Sequence, residues 1–122
     1  MNVRLAGIAC RAAAAVAFAG AATGAAAAGD AAQLALGKRL FTGEAVPACA
    51  VCHTLKDAGT DGAVGPVLDE LKPDVNRVAT ALRNGVGNMP SYKASLSEEQ
   101  IMALAHYVAS ATGGGGGAGG SK

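Results

Sequence analysis

The pentapeptide Cys49-Ala50-Val51-Cys52-His53 constrains this chain more than any other stretch. Two cysteines separated by two residues, with a histidine directly after the second, are typical of a covalent haem attachment site. The spacing lets both thiols form thioethers with neighbouring vinyl groups on one porphyrin edge, while the imidazole ligates the iron. The sequence therefore predicts a covalently bound haem, held by Cys49 and Cys52, with His53 as an axial ligand.

Two other uses of the cysteine pair fit the sequence less well. A thioredoxin-type thiol–disulfide oxidoreductase places its Cys-x-x-Cys in a βαβ pattern, and no run rich in valine and isoleucine predicts such strands here. A structural zinc site takes four ligands. Beyond the N-terminal segment the chain offers only Cys49, Cys52, His53 and the distant His106. We expect His106 to be exposed and to ligate nothing.

Residues 1–28 have the pattern of a secretory signal peptide. A short basic start with Arg4 and Arg11 precedes an alanine-rich stretch, which ends at 26–28 in an A-x-A type cleavage site. The apolar run is too short and too interrupted by glycine for a membrane anchor. Too little apolar sequence precedes Cys10 for a lipoprotein site. We therefore expect cleavage of residues 1–28, a periplasmic location and no stable membrane anchor.

The remaining chain is small and nearly neutral. The whole sequence has 10 basic and 9 acidic residues, and two of the basic ones lie in the predicted signal peptide. No basic stripe is left for a nucleic-acid partner, so none is expected. The aromatic side chains after residue 28 are Phe41, Tyr92 and Tyr107. A domain with so few large side chains gains a core from a buried porphyrin, so the composition agrees with the motif.

Capping signals predict helices on both sides of the motif. Asp30 is the predicted N-cap of a first helix that ends at Thr42-Gly43. Asp74 is the predicted N-cap of a second helix, which ends at Gly85. The segment 97–100, Ser-Glu-Glu-Gln, has the form of a capping box at the start of a last helix.

The segments between these helices predict no regular structure. Residues 54–64 form a predicted polar loop, and residues 113–122 a flexible glycine-rich tail. One domain is expected over residues 29–112. Since only helices are predicted, the expected fold class is all-α.

Two further residues have the chemistry to complete a haem site. Proline keeps a free carbonyl acceptor, and a ligating histidine usually donates its second ring N–H to such a group. Pro66 is predicted for this role, with Leu68 packing on the haem face. Met89 lies in a glycine-rich loop, and its thioether is a soft ligand that raises the potential of haem iron. Met102 lies within the last helix, so we expect a core role there and predict Met89 as the second axial ligand.

In this order the attachment motif, Gly65-Pro66-Val67-Leu68, Met89-Pro90 and a capped last helix resemble a class I cytochrome c. The resemblance covers residues 29–112. It implies a small fold of three to four helices wrapped around one covalent haem c, in which the first and last helices cross. Gly37 and Tyr107 take the places where those helices meet, and Tyr92 takes that of an aromatic residue near the haem.

The stretches 41–44 and 82–92 are also similar to the small monohaem cytochromes that accept electrons from bacterial molybdenum sulfite dehydrogenases. The resemblance implies an electron carrier rather than an enzyme, with redox proteins as its partners. It would take electrons from a dehydrogenase and pass them to a respiratory acceptor, as a monomer in transient complexes. The lysine-rich front of mitochondrial cytochromes is missing, so their partners are not implied. The alternative is a haem enzyme or gas sensor with an open axial position.

The thioether edge of such a haem lies near the surface, where the cysteines hold it. Segments 45–48 and 89–91 are small and largely apolar, and we expect them to frame this edge. Redox partners dock briefly over small interfaces, under about 1,200 Å² in total. The sequence therefore predicts an apolar docking patch around the haem edge.

Overall fold

The computed structural model describes the backbone of residues 23–117 and the side chains of residues 30–115. Most of the predicted signal peptide, Cys10 and the last five residues of the predicted tail lie outside this range. Within it the chain forms four α-helices: α1 Thr23–Arg39, α2 Leu68–Leu71, α3 Val75–Asn84 and α4 Glu98–Thr112. The helical architecture expected from the sequence is therefore present.

Helices α1 and α4 cross at Gly37. A Cβ atom on Gly37 would lie 2.5 Å from Cβ of Tyr107 and would overlap with the carbonyl of Ala103. Only glycine allows this approach, so the predicted meeting of Gly37 and Tyr107 is confirmed. Phe41 lies beside them, with its ring edge-on to that of Tyr107 at 6.0 Å between centroids.

Both predicted ends of the first helix were wrong. α1 begins at Thr23, so Asp30 lies inside the helix rather than at its N-cap. The alanines before Asp30 are the strongest helix formers, and they extend the helix toward the N-terminus. At the other end the chain continues into a π-helical turn, Leu40–Glu44, which ends where Ala45 N–H donates to the Leu40 carbonyl at 3.1 Å.

The caps of α3 and α4 are those predicted. The Asp74 carboxylate accepts a hydrogen bond from the Arg77 backbone N–H at 2.8 Å, and α3 ends at Gly85. Ser97 Oγ accepts from the Gln100 N–H at 3.2 Å, while Gln100 Oε1 accepts from the Ser97 N–H at 2.9 Å. These two bonds form a complete capping box.

The predicted loop at 54–64 contains a small antiparallel sheet, so the all-α prediction needs correction. Strand β1 is Thr54–Leu55 and β2 is Thr60–Asp61, with Thr54 opposite Asp61. A strand of two residues has no periodic signal, and tertiary contacts form it instead. Leu55 is fully buried, and the Thr60 hydroxyl accepts from the Leu55 N–H and donates to the His53 carbonyl.

The core lies between α4 and the segments packed around it. Its most buried large side chains come from α3, α4, β1 and the π-helical turn: Leu40, Phe41, Leu55, Leu82, Ile101 and Leu104. The predicted tail begins with a 3₁₀ turn, Gly114–Gly117, in which Gly114 lies against the Lys72–Pro73 link. The first residues of that tail are therefore packed, in contrast to the prediction.

Candidate haem site

A cavity of about 340 Å³ lies between the cysteine segment, α2, α3 and α4. This volume is within the range of ligand pockets, about 300–1,000 Å³. Every residue that the sequence predicts for the site lines this cavity. They are Cys49, Cys52, His53, Pro66, Leu68, Met89 and Tyr92.

A short 3₁₀ turn, Cys49–Val51, holds the two cysteines at the cavity wall. The Cys49 carbonyl accepts hydrogen bonds from the N–H groups of Cys52 at 3.1 Å and of His53 at 2.9 Å. One carbonyl therefore fixes the pentapeptide as a unit. Burial raises the pKa of the Cys49 thiol to about 11, whereas thiol–disulfide chemistry depends on a thiolate.

His53 is buried and has a defined orientation. Its Nδ1 lies 2.9 Å from the Pro66 carbonyl oxygen, so the predicted hydrogen bond between these residues is present. A carbonyl only accepts, so Nδ1 carries the proton and Nε2 keeps its lone pair. The imidazole is therefore in the tautomer that binds a metal through Nε2.

Gly65 allows Pro66 to approach the imidazole. A Cβ atom on Gly65 would lie 2.5 Å from Cε1 of His53, so any side chain there would displace the ring. The Gly65 N–H donates to the Cys52 carbonyl at 2.7 Å and ties this segment to the cysteines. The sequence analysis missed this steric role, although a glycine directly before the predicted acceptor proline is a signal for it.

Met89 lies on a tight loop that follows α3. Its N–H donates to the Val86 carbonyl at 2.8 Å, and its carbonyl accepts from the Val86 N–H at 3.0 Å. The loop is also held to the end of α3, because the Ser91 hydroxyl donates to the Arg83 carbonyl at 2.5 Å. Of the two candidate methionines, Met89 lines the cavity and Met102 does not.

Tyr92 closes the cavity between this loop and the cysteine segment. Its backbone N–H donates to the Leu82 carbonyl at 2.7 Å, and its hydroxyl donates to the Pro47 carbonyl at 2.7 Å. Burial is the main cause that raises the pKa of Tyr92 to about 12. The phenol is therefore neutral at physiological pH, with its proton used in a structural bond.

Two polar side chains that the sequence analysis missed, Arg77 and Asn88, also line the cavity. Arg77 lies one turn before Ala81 on α3, and both residues line the cavity. No signal in the sequence distinguishes Arg77 from a solvated arginine on a helix. His106 is partly exposed and is absent from the lining.

The donor set fits a haem rather than a bare metal ion. Among the described residues, no three histidine, cysteine, aspartate or glutamate side chains gather into a metal-binding cluster. Two thiols, an imidazole and a thioether instead surround an otherwise mostly apolar cavity, which suits a flat apolar ring and its iron. In the same part of the chain, no helix is both long and apolar enough to cross a membrane.

The comparisons with known proteins agree with this geometry. The family described as "Cytochrome C oxidase, cbb3-type, subunit III" matches residues 32–108. The chloroplastic cytochrome c6 of Chlamydomonas reinhardtii is 38% identical in an alignment of 96 residues, and the match covers 70% of this chain and 59% of that protein. The chain thus spans less than two thirds of the length of this relative.

A solved structure is also similar in fold. The crystal structure of the c-type cytochrome SorU from Sinorhizobium meliloti superimposes with a TM-score of 0.66 and 51% sequence identity. The match covers 68% of this chain and 94% of that one. Identity at this level goes well beyond a shared fold. The chain therefore belongs to this cytochrome c family, as a class I c-type cytochrome.

Proposed function

We propose that this protein is a periplasmic, monohaem electron carrier with His53 and Met89 as axial ligands. The observation that carries the proposal is a single cavity lined by two thiols, an imidazole and a thioether. Cys49 and Cys52 lie at the ends of one short turn, the spacing that two thioethers to one haem require. The protein would transfer electrons between other proteins and would not itself transform a substrate.

A haem c bound there supplies a centre that takes up and releases one electron. The residues of the chain tune that centre. The Pro66 carbonyl holds the Nδ1 proton of His53, which fixes the ring and makes Nε2 a stronger ligand. Met89 supplies a soft thioether, which raises the potential. Leu68 and Leu104 provide apolar walls that limit access of water.

Partners would dock on four exposed valines close to the cavity, here named the valine rim: Val46, Val51, Val64 and Val86. Each is at least 64% exposed. Val64 and Val86 line the cavity, and Val46 and Val51 are next in the chain to the lining residues Pro47 and Cys52, so all four lie close to the cavity. Exposed apolar groups concentrated in one place are typical of interaction sites. The rim extends the docking patch that segments 45–48 and 89–91 predict.

The proposed electron donor is a molybdenum sulfite dehydrogenase, and the proposed acceptor is a respiratory redox protein. The support for this donor is the similarity of stretches 41–44 and 82–92 to cytochromes that serve such enzymes. The 51% identity to the c-type cytochrome SorU is consistent with a cytochrome of that kind. The small, apolar valine rim suits a partner that binds briefly.

The periplasmic location is proposed from residues 1–28, which have the basic start, apolar stretch and small-residue cleavage site of a signal peptide. Cleavage would leave a chain that begins near Gly29. In that chain α1 would start close to Asp30, where an acidic side chain is favourable at a helix N-terminus.

One experiment tests the chemistry and the location together. The full chain is produced in a bacterium with a c-type maturation system, and the periplasmic fraction is analysed by intact mass and pyridine haemochrome spectroscopy. We expect the mass of residues 29–122 plus one haem, and a haem that stays on the denatured chain. A Cys49→Ala, Cys52→Ala double variant is the control and should lose covalent haem. Intact residues 1–28 on the isolated protein would refute the location, and haem released on denaturation would refute the attachment.

The donor is tested separately by stopped-flow mixing with a purified sulfite dehydrogenase and sulfite. We expect fast reduction of the haem in the presence of both and none when either is omitted. If reduction requires a different dehydrogenase, the proposed donor is wrong while the carrier function stands.

A further inference from the structure

Among the residues that line the cavity, Arg77 alone has a charged side chain. Arg77 lies in the first turn of α3, and its backbone N–H is used by the Asp74 cap. The guanidinium itself has no hydrogen-bond or ion-pair partner among residues 30–115. Asp74 is the neighbouring carboxylate, and it bonds to the Arg77 backbone N–H rather than to the guanidinium. A guanidinium fork that lines an apolar cavity and is paired with no carboxylate is suited to bind a carboxylate from a ligand.

The other arginines with described side chains are used differently. Arg39 forms an ion pair with Glu44, and Arg83 forms one with Glu98. Neither arginine lines the cavity. Arg77 therefore differs from both: it lines the cavity, and its guanidinium has no ion-pair partner among residues 30–115.

The position of Arg77 along α3 places it away from the cysteine segment. The far end of α3 is tied to that segment through Tyr92, which bonds to the Leu82 carbonyl and to the Pro47 carbonyl. Arg77 precedes Leu82 by five residues, which is about 7.5 Å along a helix axis. Arg77 thus lies in the first turn of α3, at the end of the helix opposite the one that Tyr92 ties to the cysteine segment.

The substituents of a haem also differ between its two halves. Its vinyl groups lie on one half of the porphyrin rim, and its two propionate carboxylates lie on the other half. Thioethers to Cys49 and Cys52 would fix the vinyl half at the cysteine end, which turns the propionates toward the opposite end. We propose that Arg77 binds a haem propionate through its guanidinium. This inference rests on the proposed haem attachment and adds a positioning residue to it.

Such a contact has a measurable effect on the iron. A positive charge beside the propionate offsets part of its negative charge, and the uncompensated negative charge favours ferric over ferrous iron. Arg77→Gln should therefore lower the reduction potential. Arg77→Lys keeps the charge but loses the fork, so its potential should lie between those of Arg77→Gln and the unaltered protein.

Arg39→Gln is the matched control, because it removes the same charged group from an exposed ion pair outside the cavity. Potentials are measured by spectroelectrochemistry at low and high salt on haem-loaded protein. A distant exposed charge is screened by salt, whereas a direct contact is screened much less. We expect the decrease in Arg77→Gln to exceed that in Arg39→Gln and to persist at high salt.

Proton NMR gives a second readout that does not depend on the variants. In the unaltered holoprotein, nuclear Overhauser effects should connect the Arg77 side chain to propionate methylene protons. Their absence, or equal potentials for Arg77→Gln and Arg39→Gln, would overturn the inference. An unchanged potential with slower, salt-dependent transfer from the donor would assign Arg77 to partner docking and would also overturn it. Purified protein without covalent haem would refute the proposed function itself, which is a separate result.

Discussion

The Tyr92 hydroxyl donates a 2.7 Å hydrogen bond to the carbonyl of Pro47, 45 residues earlier in the chain. This bond joins the loop that carries Met89 to the segment that carries the cysteines. The Tyr92 phenol therefore connects the two segments that are proposed to hold the haem, one through thioethers and the other through methionine. A cytochrome of this size gains rigidity around its iron from such a link.

Tyr92→Phe tests the link. Loss of one buried hydrogen bond should lower the free energy of unfolding of the holoprotein by about 1 kcal/mol, and the methionine-to-iron absorption band should weaken because the Met89 loop is less constrained. Urea unfolding and visible spectra measure the two effects. Tyr107→Phe is the control, since it removes a phenolic bond to Asp57 outside the cavity. A weakened band in the control, or an intact band in Tyr92→Phe, would contradict this role.

Met89→Ala should remove the second axial ligand. We expect a lower reduction potential, by a sizeable part of the roughly 0.8 V that axial ligands span, together with high-spin ferric iron that binds small ligands. Met102→Leu replaces a side chain that does not line the cavity, with little change in volume, so the potential should hardly change. An unchanged spectrum in Met89→Ala would remove this residue from the iron.

Gly37→Ala should separate α1 from α4. The added methyl group meets the Tyr107 side chain and the Ala103 backbone, and overpacking of this kind costs about 1–3 kcal/mol. Gly43→Ala is the matched control, because a Cβ there meets nothing within 4 Å. That change should stabilise the protein by about 0.4–1 kcal/mol through the unfolded state. Equal unfolding free energies for the two variants would show that the crossing tolerates a side chain.

The contribution of Asp57 should depend on pH. A hydrogen bond from Tyr107, and then one from Lys38, hold the pKa of the Asp57 carboxyl below its usual value. Its stabilising effect is therefore present above the unfolded pKa of about 3.9, and it is lost as the pH falls through the lower folded pKa.

Urea unfolding of Asp57→Asn and of the unaltered protein measures this effect. The difference in unfolding free energy between them should be small, because the pair is about half exposed, and should shrink toward zero as the pH falls below about 4. In a Tyr107→Phe background the difference should be smaller at every pH. If the difference in unfolding free energy is the same at pH 7 and pH 3, the hydrogen bond between Tyr107 and Asp57 does not contribute to stability.

If partners dock on the valine rim, a new charge there should slow electron transfer. Val46→Asp places a carboxylate on a side chain that is 78% exposed, so the fold and the spectrum should be unchanged while electron transfer from the donor slows severalfold. Ser110→Asp adds the same charge at an exposed position of α4 that does not line the cavity, and should leave the rate unchanged. Stopped-flow rates across ionic strength make the comparison. Equal rates for the two variants, or a steep salt dependence in the unaltered protein, would move the docking site elsewhere.

Local signals in the sequence predict some of these features and not others. Asp74 and Ser97 cap their helices as expected, because a cap is made by residues within one turn. The hairpin near Thr60 cannot be predicted from the sequence pattern, because its two strands are too short to show one. The Thr60 hydroxyl stabilises it by accepting a hydrogen bond from the Leu55 N–H and donating one to the His53 carbonyl. The start of α1 was misplaced because a favourable cap at Asp30 competes with a run of alanines.

The residues of the site also divide into those that the sequence predicts and those that it does not. The attachment motif and Met89 are recognisable because their spacing and side-chain chemistry are specific. Arg77 is not, since an arginine on an amphipathic helix is usually a solvated residue, and only the packing of α3 on α4 brings it to the cavity. Gly65 is similar, because its role depends on where the His53 ring lies.

The crossing at Gly37 also sets an order of events during biogenesis. Among the described residues α1 precedes the cysteines and α4 is the last α-helix, so these two helices cannot cross until the chain has been made as far as α4. Cys49 is only 8% exposed in the closed fold, so its thiol is poorly accessible there. The proposed attachment of haem to Cys49 would therefore precede the closure of the core by α4.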